Sequence, residues 1–196
     1  QQAGMLKQRN GLCICKWETG LGKNKGRGCR RKGAVTRKIK IKGVLDMDVY
    51  EKLKEMNLSL PQAPAKGGVY AQAKRIGNII YISGCGPVTD REVKGRLGRE
   101  FSTEQGKEFA RDCMLNVLAV LEKETGDLNK VKNAVKVLVF VAGTEDFYEQ
   151  PVVANGGTGL LTELFGDKAG APARSAIGVY SLPGNIPVEI EAQFEI

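Results

Sequence analysis

Between Ser102 and Val141 the chain commits itself to a helix laid against a sheet. Phe109, Cys113, Val117 and Leu121 recur every fourth residue, flanked by Ala110, Met114 and Leu118, which draws an apolar stripe along one face of a helix. Ser102 or Thr103 is placed to cap its start and Gly126 to end it. Shortly afterwards Val135 to Val141 is nearly continuous Val, Leu and Phe, the composition of a central strand covered on its main face. A striped helix needs an apolar surface and a central strand needs neighbours on both edges. The segment therefore predicts an α+β layer structure.

The flanking segments supply the other elements. Asp48 is placed to cap a short helix carrying Val49, Tyr50, Leu53 and Met56, with Leu58 to Pro61 ending it. Val69 to Ile76 and Ile79 to Ser83 flank Gly77-Asn78 and predict a β-hairpin with a two-residue loop. Gly84 to Phe101 is loop-like and rich in Gly, Arg and Lys. A second helix is expected between Glu145 and Phe165, but Gly156, Gly157 and Gly159 fall in its middle, where a helix prefers none. Either it starts late, near Thr158, or its backbone opens there to approach something. Arg174 to Leu182 and Pro187 to Ile196 predict two closing strands. The order gives a two-layer sandwich, a mixed sheet with two helices on one face. In the last strand Val188, Ile190, Ala192 and Phe194 alternate with Glu189, Glu191, Gln193 and Glu195, so a partner chain is expected to help cover the other face, as in a symmetric oligomer.

Charge is unevenly distributed. Residues 1–46 carry thirteen Lys and Arg against Glu18 and Asp46, a net of +11; residues 47–196 carry 17 basic and 20 acidic residues, a net of −3 within the overall +8. The basic, Gly-rich tail has little apolar periodicity and is expected to be disordered or not native to the protein, with the folded domain spanning 47–196. A nucleic-acid partner is expected, if at all, only through that tail. No run approaches the roughly 20 apolar residues of a membrane span, and the start lacks the order of a secretory signal. A cytoplasmic protein is expected, and five cysteines without a paired framework fit a reducing compartment. The absence of histidine excludes Ser-His-Asp and Cys-His catalysis and histidine-based zinc sites.

The residues with chemical potential lie near the C-terminus. Arg174 follows Ala171-Pro172-Ala173, and Glu191 sits in Val188-Glu189-Ile190-Glu191-Ala192. On neighbouring strands they would let a guanidinium grip a small anion while a carboxylate manages a proton or a water. Plainer roles stand beside this: an interchain ion pair for Arg174, a solvated carboxylate for Glu191, a helix N-cap for Asn155 and simple packing for Tyr70.

Several pieces in order resemble one family. Tyr70, the Gly77-Asn78 hairpin running to Ser83-Gly84, Val137 to Val141 followed by Asp146-Phe147, Ala173-Arg174-Ser175 and Val188 to Ala192 resemble the Rid or YjgF-like proteins, also called endoribonuclease L-PSP or translation-inhibitor proteins. Val153 to Gly156 and Ser181-Leu182-Pro183 resemble a less characterised branch. The resemblance implies a chorismate-mutase-like fold and a homotrimer with clefts between subunits. It also implies hydrolysis of 2-imino acids to 2-oxo acids and ammonia without metal or organic cofactor. Arg174 would pair with the substrate carboxylate and Glu191 would orient water. Tyr70, Ser83, Gly84, Cys85 and Asn155 would line the pocket. Two positions depart from the deaminase members: Cys85 stands where they have glutamine and Ala176 where they have cysteine. Two other functions remain open, a non-catalytic regulatory trimer that binds small carboxylates and an RNA-acting protein.

Overall fold

The computed structural model describes residues 48–87 and 93–196; the expectations for residues 1–46 lie outside them. The elements are α1 (Val49–Glu55), β1 (Ala73–Ile76), β2 (Ile79–Cys85), α2 (Thr103–Thr125), β3 (Asn133–Ala142), α3 (Gln150–Gly170), β4 (Ala173–Val179) and β5 (Val188–Glu195). The five strands form one mixed sheet in the order β1-β2-β5-β3-β4. Only β3 and β4 pair in parallel, joined through α3; the other pairs are antiparallel.

Local chemistry explains the element ends. Asp48 accepts a hydrogen bond from the Tyr50 amide at the start of α1. Ser102 and Gln105 form a reciprocal capping box on α2, and Gly126 ends it at φ 75°. Gly77 turns the β1–β2 hairpin at φ 61°, a left-handed conformation that costs glycine least. Several boundaries differ from expectation, among them the end of β4 at Val179 rather than Leu182 and of α3 at Gly170 rather than Phe165. Asn57, at φ 54°, stops α1 well before Pro61. Strand β1 begins at Ala73 rather than Val69, and Val69 and Tyr70 are exposed. Within Gly84 to Phe101, Gly84 and Cys85 belong to β2, and Leu97 is fully buried. Its amide donates to the Ala142 carbonyl.

The core lies between one face of the sheet and the helices α2 and α3. Val188, Ile190, Ala192 and Phe194 of β5, Ile80 and Ile82 of β2, and Val137, Val139 and Val141 of β3 meet Met114, Val117, Leu118 and Leu121 of α2 and Leu160, Leu161 and Leu164 of α3. Each such side chain is worth roughly 1.5–3 kcal/mol when fully buried. Helix α2 is buried beyond its stripe, with every residue from Cys113 to Leu121 enclosed. Asn116, polar within that stretch, donates to the Gly86 carbonyl at 2.8 Å, which satisfies its amide.

The glycines of α3 neither delay nor open it. The helix runs from Gln150 through all three and bends only at Gly166, where φ is 76° and ψ 165°. Gly156 and Gly157 are where α3 meets α2: a Cβ on Gly156 would fall 2.7 Å from the Lys107 carbonyl carbon, and one on Gly157 3.0 Å from the Ala110 carbonyl oxygen. Backbone contact between the helices requires glycine there, at a helix cost of about 1 kcal/mol each. A Cβ on Gly159 would meet nothing within 4 Å.

Candidate active site

The sheet separates the expected site residues into two groups. Arg174 and Glu191 do not lie on neighbouring strands, because β3 runs between β4 and β5. Arg174 pairs with Val137 and Glu191 with Leu138. Successive residues of a strand point to opposite faces, so Arg174 faces the helices and Glu191 the opposite, outer face. Within one chain the guanidinium and this carboxylate are not brought together.

On the helix side, Arg174 Nη1 donates to Asn155 Oδ1 at 2.7 Å and to Thr158 Oγ1 at 3.0 Å. Both oxygens are neutral, and among the described residues no carboxylate pairs with Arg174. Asn155 sits in the second turn of α3, so it is not an N-cap. It sits one turn before Gly159 on the same helix. A cleft of about 500 Å³ opens beside the guanidinium, lined by Asn155, Thr158, Gly159, Thr162, Ala171 and Pro172.

On the outer face, β2 and β5 pair Ile82 with Ala192 and Cys85 with Ile190. Ser83 and Gly84 are thus two residues opposite the single Glu191, a β-bulge. Ser83 Oγ donates to the Ala71 carbonyl at 2.8 Å, tying the bulge to the segment that carries Tyr70. Tyr70 is 45% exposed rather than packed, and its hydroxyl accepts from the Gly67 amide. A smaller cleft of about 280 Å³ runs over this face between Lys74, Tyr81, Ser83, Lys136 and Glu191. Lys136 Nζ donates to Ser175 Oγ at 2.9 Å.

Glu189 was missed by the sequence reading. Its side chain lies over Gly84, where a Cβ would come within 2.9 Å of the Glu189 Cδ. Half-burial, and then the charge of Glu191, push its carboxyl above the ordinary range. The signal in the sequence was a glycine on the strand paired with β5, readable only once the bulged register is known. Cys85 belongs to the core: its thiol is buried and pushed up to about 12 by desolvation, then by Glu189. Such a thiol carries almost no nucleophilic thiolate. Among the described residues no group of three His, Cys, Asp or Glu side chains is gathered to hold a metal, and no helix is long and apolar enough to cross a membrane. A further cleft of about 720 Å³ lies at the other end of β4 and contains none of the expected residues. There the Arg96 guanidinium stacks over Tyr180 at 4.4 Å.

Residues 60–196 match the family model described as endoribonuclease L-PSP. The chain belongs to this family, that of the Rid and YjgF-like proteins. Protein TCP17 of Trypanosoma cruzi is 36% identical over 74% of this chain and 91% of its own length. The 2-iminobutanoate/2-iminopropanoate deaminase of Dermatophagoides farinae is 33% identical over 69% of this chain and 91% of its own. Among solved structures, the protein Atu1372 of Agrobacterium tumefaciens, of unknown function, superposes with a TM-score of 0.69 at 34% identity, covering 76% of this chain and 92% of that one. The α+β fold with its mixed sheet is thus the family's.

Proposed function

We propose that this Rid-family chain hydrolyses small 2-imino acids to 2-oxo acids and ammonia, in a cleft where the β4 edge of one copy meets the outer sheet face of another in a homotrimer. The observation that carries the reading is Arg174, a half-buried guanidinium held by neutral oxygens at the mouth of an open cleft, with no carboxylate partner among the described residues. A cation positioned this way keeps its attraction for a ligand carboxylate, and its planar fork suits bidentate binding. A relative with 33% identity bears the name of an imine deaminase.

The outer face supplies what Arg174 lacks. Glu189, whose carboxyl is raised by burial and then by Glu191, is the carboxylate placed on this face to pass a proton. Gly84 and Glu191 lie beside it, Ser83 shares the bulge with Gly84, and Tyr81 and Ile177 remain 40% and 42% exposed on that face, an apolar surface that a second copy would cover. Water then adds across the C=N bond, its oxygen joining the imine carbon and one proton passing to nitrogen. The resulting carbinolamine transfers its hydroxyl proton to nitrogen, the C–N bond breaks, and ammonia leaves.

A non-catalytic carboxylate-binding trimer is the second reading, favoured by Cys85, whose side chain faces the core and offers the cleft no polar group. An RNA-acting role is opposed by the net charge of −3 on residues 47–196, which gives a phosphate backbone little to hold. The test is ammonia release by the full chain while serine or threonine dehydratase generates imino acids in situ, with Arg174→Ala in parallel and the size of both proteins measured. Faster release by the wild type alone, from particles of equal size, supports the enzyme. Identical traces reject it, and a variant that falls apart returns Arg174 to a structural role.

A further inference from the structure

The cleft beside Arg174 continues past the point where a short imino acid would end. Asn155, Thr158, Gly159 and Thr162 occupy positions i, i+3, i+4 and i+7 of α3 and share one face, with Arg174 bound at its start. Thr162 lies one helical turn beyond Thr158, about 6 Å along the axis. Between them Gly159 leaves open space where any other side chain would project. Packing accounts for Gly156 and Gly157 but does not account for Gly159.

The polar atoms along this stripe define what it can bind. Thr158 Oγ1 donates its proton to the Ala154 carbonyl at 3.2 Å, and Thr162 Oγ1 donates its own to the Gly159 carbonyl at 2.8 Å. A hydroxyl has one proton and two lone pairs. Both threonines therefore face the cleft as acceptors, and the acceptor at Thr162 is not used by Arg174. The cleft lining contains no carboxylate, so nothing in it favours a second cation.

We infer that this site takes 2-imino acids with a longer side chain than the dehydratase products, one ending in an uncharged hydrogen-bond donor such as a carboxamide or hydroxyl. The carboxylate sits on Arg174 and the side chain runs over Gly159 to Thr162, the reach of a side chain as long as that of glutamine. The inference rests on the imine-deaminase reading for the reaction, but not for the binding.

An L-amino-acid oxidase with catalase generates imines in situ from alanine, norleucine and glutamine, and the full chain is assayed by loss of semicarbazide-trappable imine. The glutamine-derived imine is expected to exceed the norleucine-derived one in kcat/KM by about fivefold or more, the worth of one hydrogen bond. Thr162→Val is expected to bring that ratio toward one, and Gly159→Leu to lower both long imines relative to the alanine-derived one. Equal rates for the two long imines, or ratios unmoved by both variants, overturn the inference. So does a change in particle size with Gly159→Leu, which would assign Gly159 to assembly. If no imine is hydrolysed, the deaminase reading fails alone, and thermal shifts with the corresponding 2-oxo acids decide the binding. Greater stabilisation by the amide-bearing acid than by pyruvate, abolished in Thr162→Val, supports the inference; equal shifts or none overturn it.

Discussion

Gly156→Ala tests whether α2 and α3 are held together through their backbones. The new Cβ would overlap the Lys107 carbonyl group, 2.7 Å from its carbon and 3.0 Å from its Cα. A side chain could swing away, but the obstacle is backbone inside a helix whose next turns are enclosed by the core. The two helices must part by several tenths of an ångström or more, loosening the contacts of Leu160 and Leu161 with α2. Overpacking of this kind costs about 1–3 kcal/mol, and an immovable neighbour places it near the upper end. Alanine's better helix propensity returns about 1 kcal/mol, leaving a net loss near 2 kcal/mol. For a chain of this size that lowers Tm by about 4–8 °C. Gly159→Ala is the matched control, three residues further along the same helix, with open space around the new methyl group. It should raise Tm by about 1–4 °C through propensity alone. Both are measured by circular dichroism at one protein concentration, since association shifts apparent stability. If Gly156→Ala melts at or above the wild-type temperature with unchanged helix content, the backbone contact does not hold the helices as described.

Three further outcomes follow from the two faces of the sheet. Cys85 and Cys113 are buried with thiols pushed up by desolvation, so iodoacetamide at pH 8 should leave both unmodified in the native protein by peptide mapping and label both after denaturation. Glu189 has a folded-state carboxyl raised above its ordinary value near 4.5, so the folded state binds the extra proton, and the resulting stability is present at acid pH and lost as pH rises through the raised value. Glu189→Gln should therefore melt higher than the wild type at pH 7, with the gap closing as pH falls to 4.5 and below; a gap independent of pH would show that Glu189 is not desolvated. In Gly84→Ala the three atoms nearest the new methyl group all belong to the Glu189 side chain, which can rotate away, so Tm should change by less than about 2 °C, as for a substitution costing under 0.5 kcal/mol, while imine hydrolysis falls. Unaltered hydrolysis would remove Glu189 from the chemistry.

Sequence alone disclosed those parts of the fold that depend on local chemistry. The caps at Asp48, Ser102 and Gly126, the Gly77 turn and the stripe of α2 are each decided within a few residues, and each stands where the residues placed it. The glycines of α3 could not be read the same way. A glycine in a helix signals a break or a close neighbour, and only the distance to Lys107 and Ala110 decides between them. The environment that sets Glu189 apart from Glu191 was hidden for a related reason. Both point to the outer face with period two, and they differ in what lies across the strand, which depends on a bulge at Ser83-Gly84 that no local pattern announces.

The separation of Arg174 from Glu191 is the deeper case, because it concerns strand order rather than strand existence. Chain order runs β3, β4, β5, yet β5 inserts between β2 and β3 and leaves β4 at the edge. Once that order is known, parity settles the geometry. Val137 and Leu138 are consecutive on β3 and point to opposite faces; Arg174 is level with the first and Glu191 with the second. Glu189 shares the outer face with Glu191. No choice of rotamer carries the Arg174 guanidinium through a hydrogen-bonded sheet to either glutamate. Any reaction that uses the cation and one of these carboxylates on the same small substrate therefore requires two copies of the chain. Mixing Arg174→Ala with Glu189→Gln subunits should restore part of the activity that each lacks alone, since some interfaces then pair an intact arginine with an intact glutamate. Were both residues working within one chain, the mixture would remain as inactive as its parts.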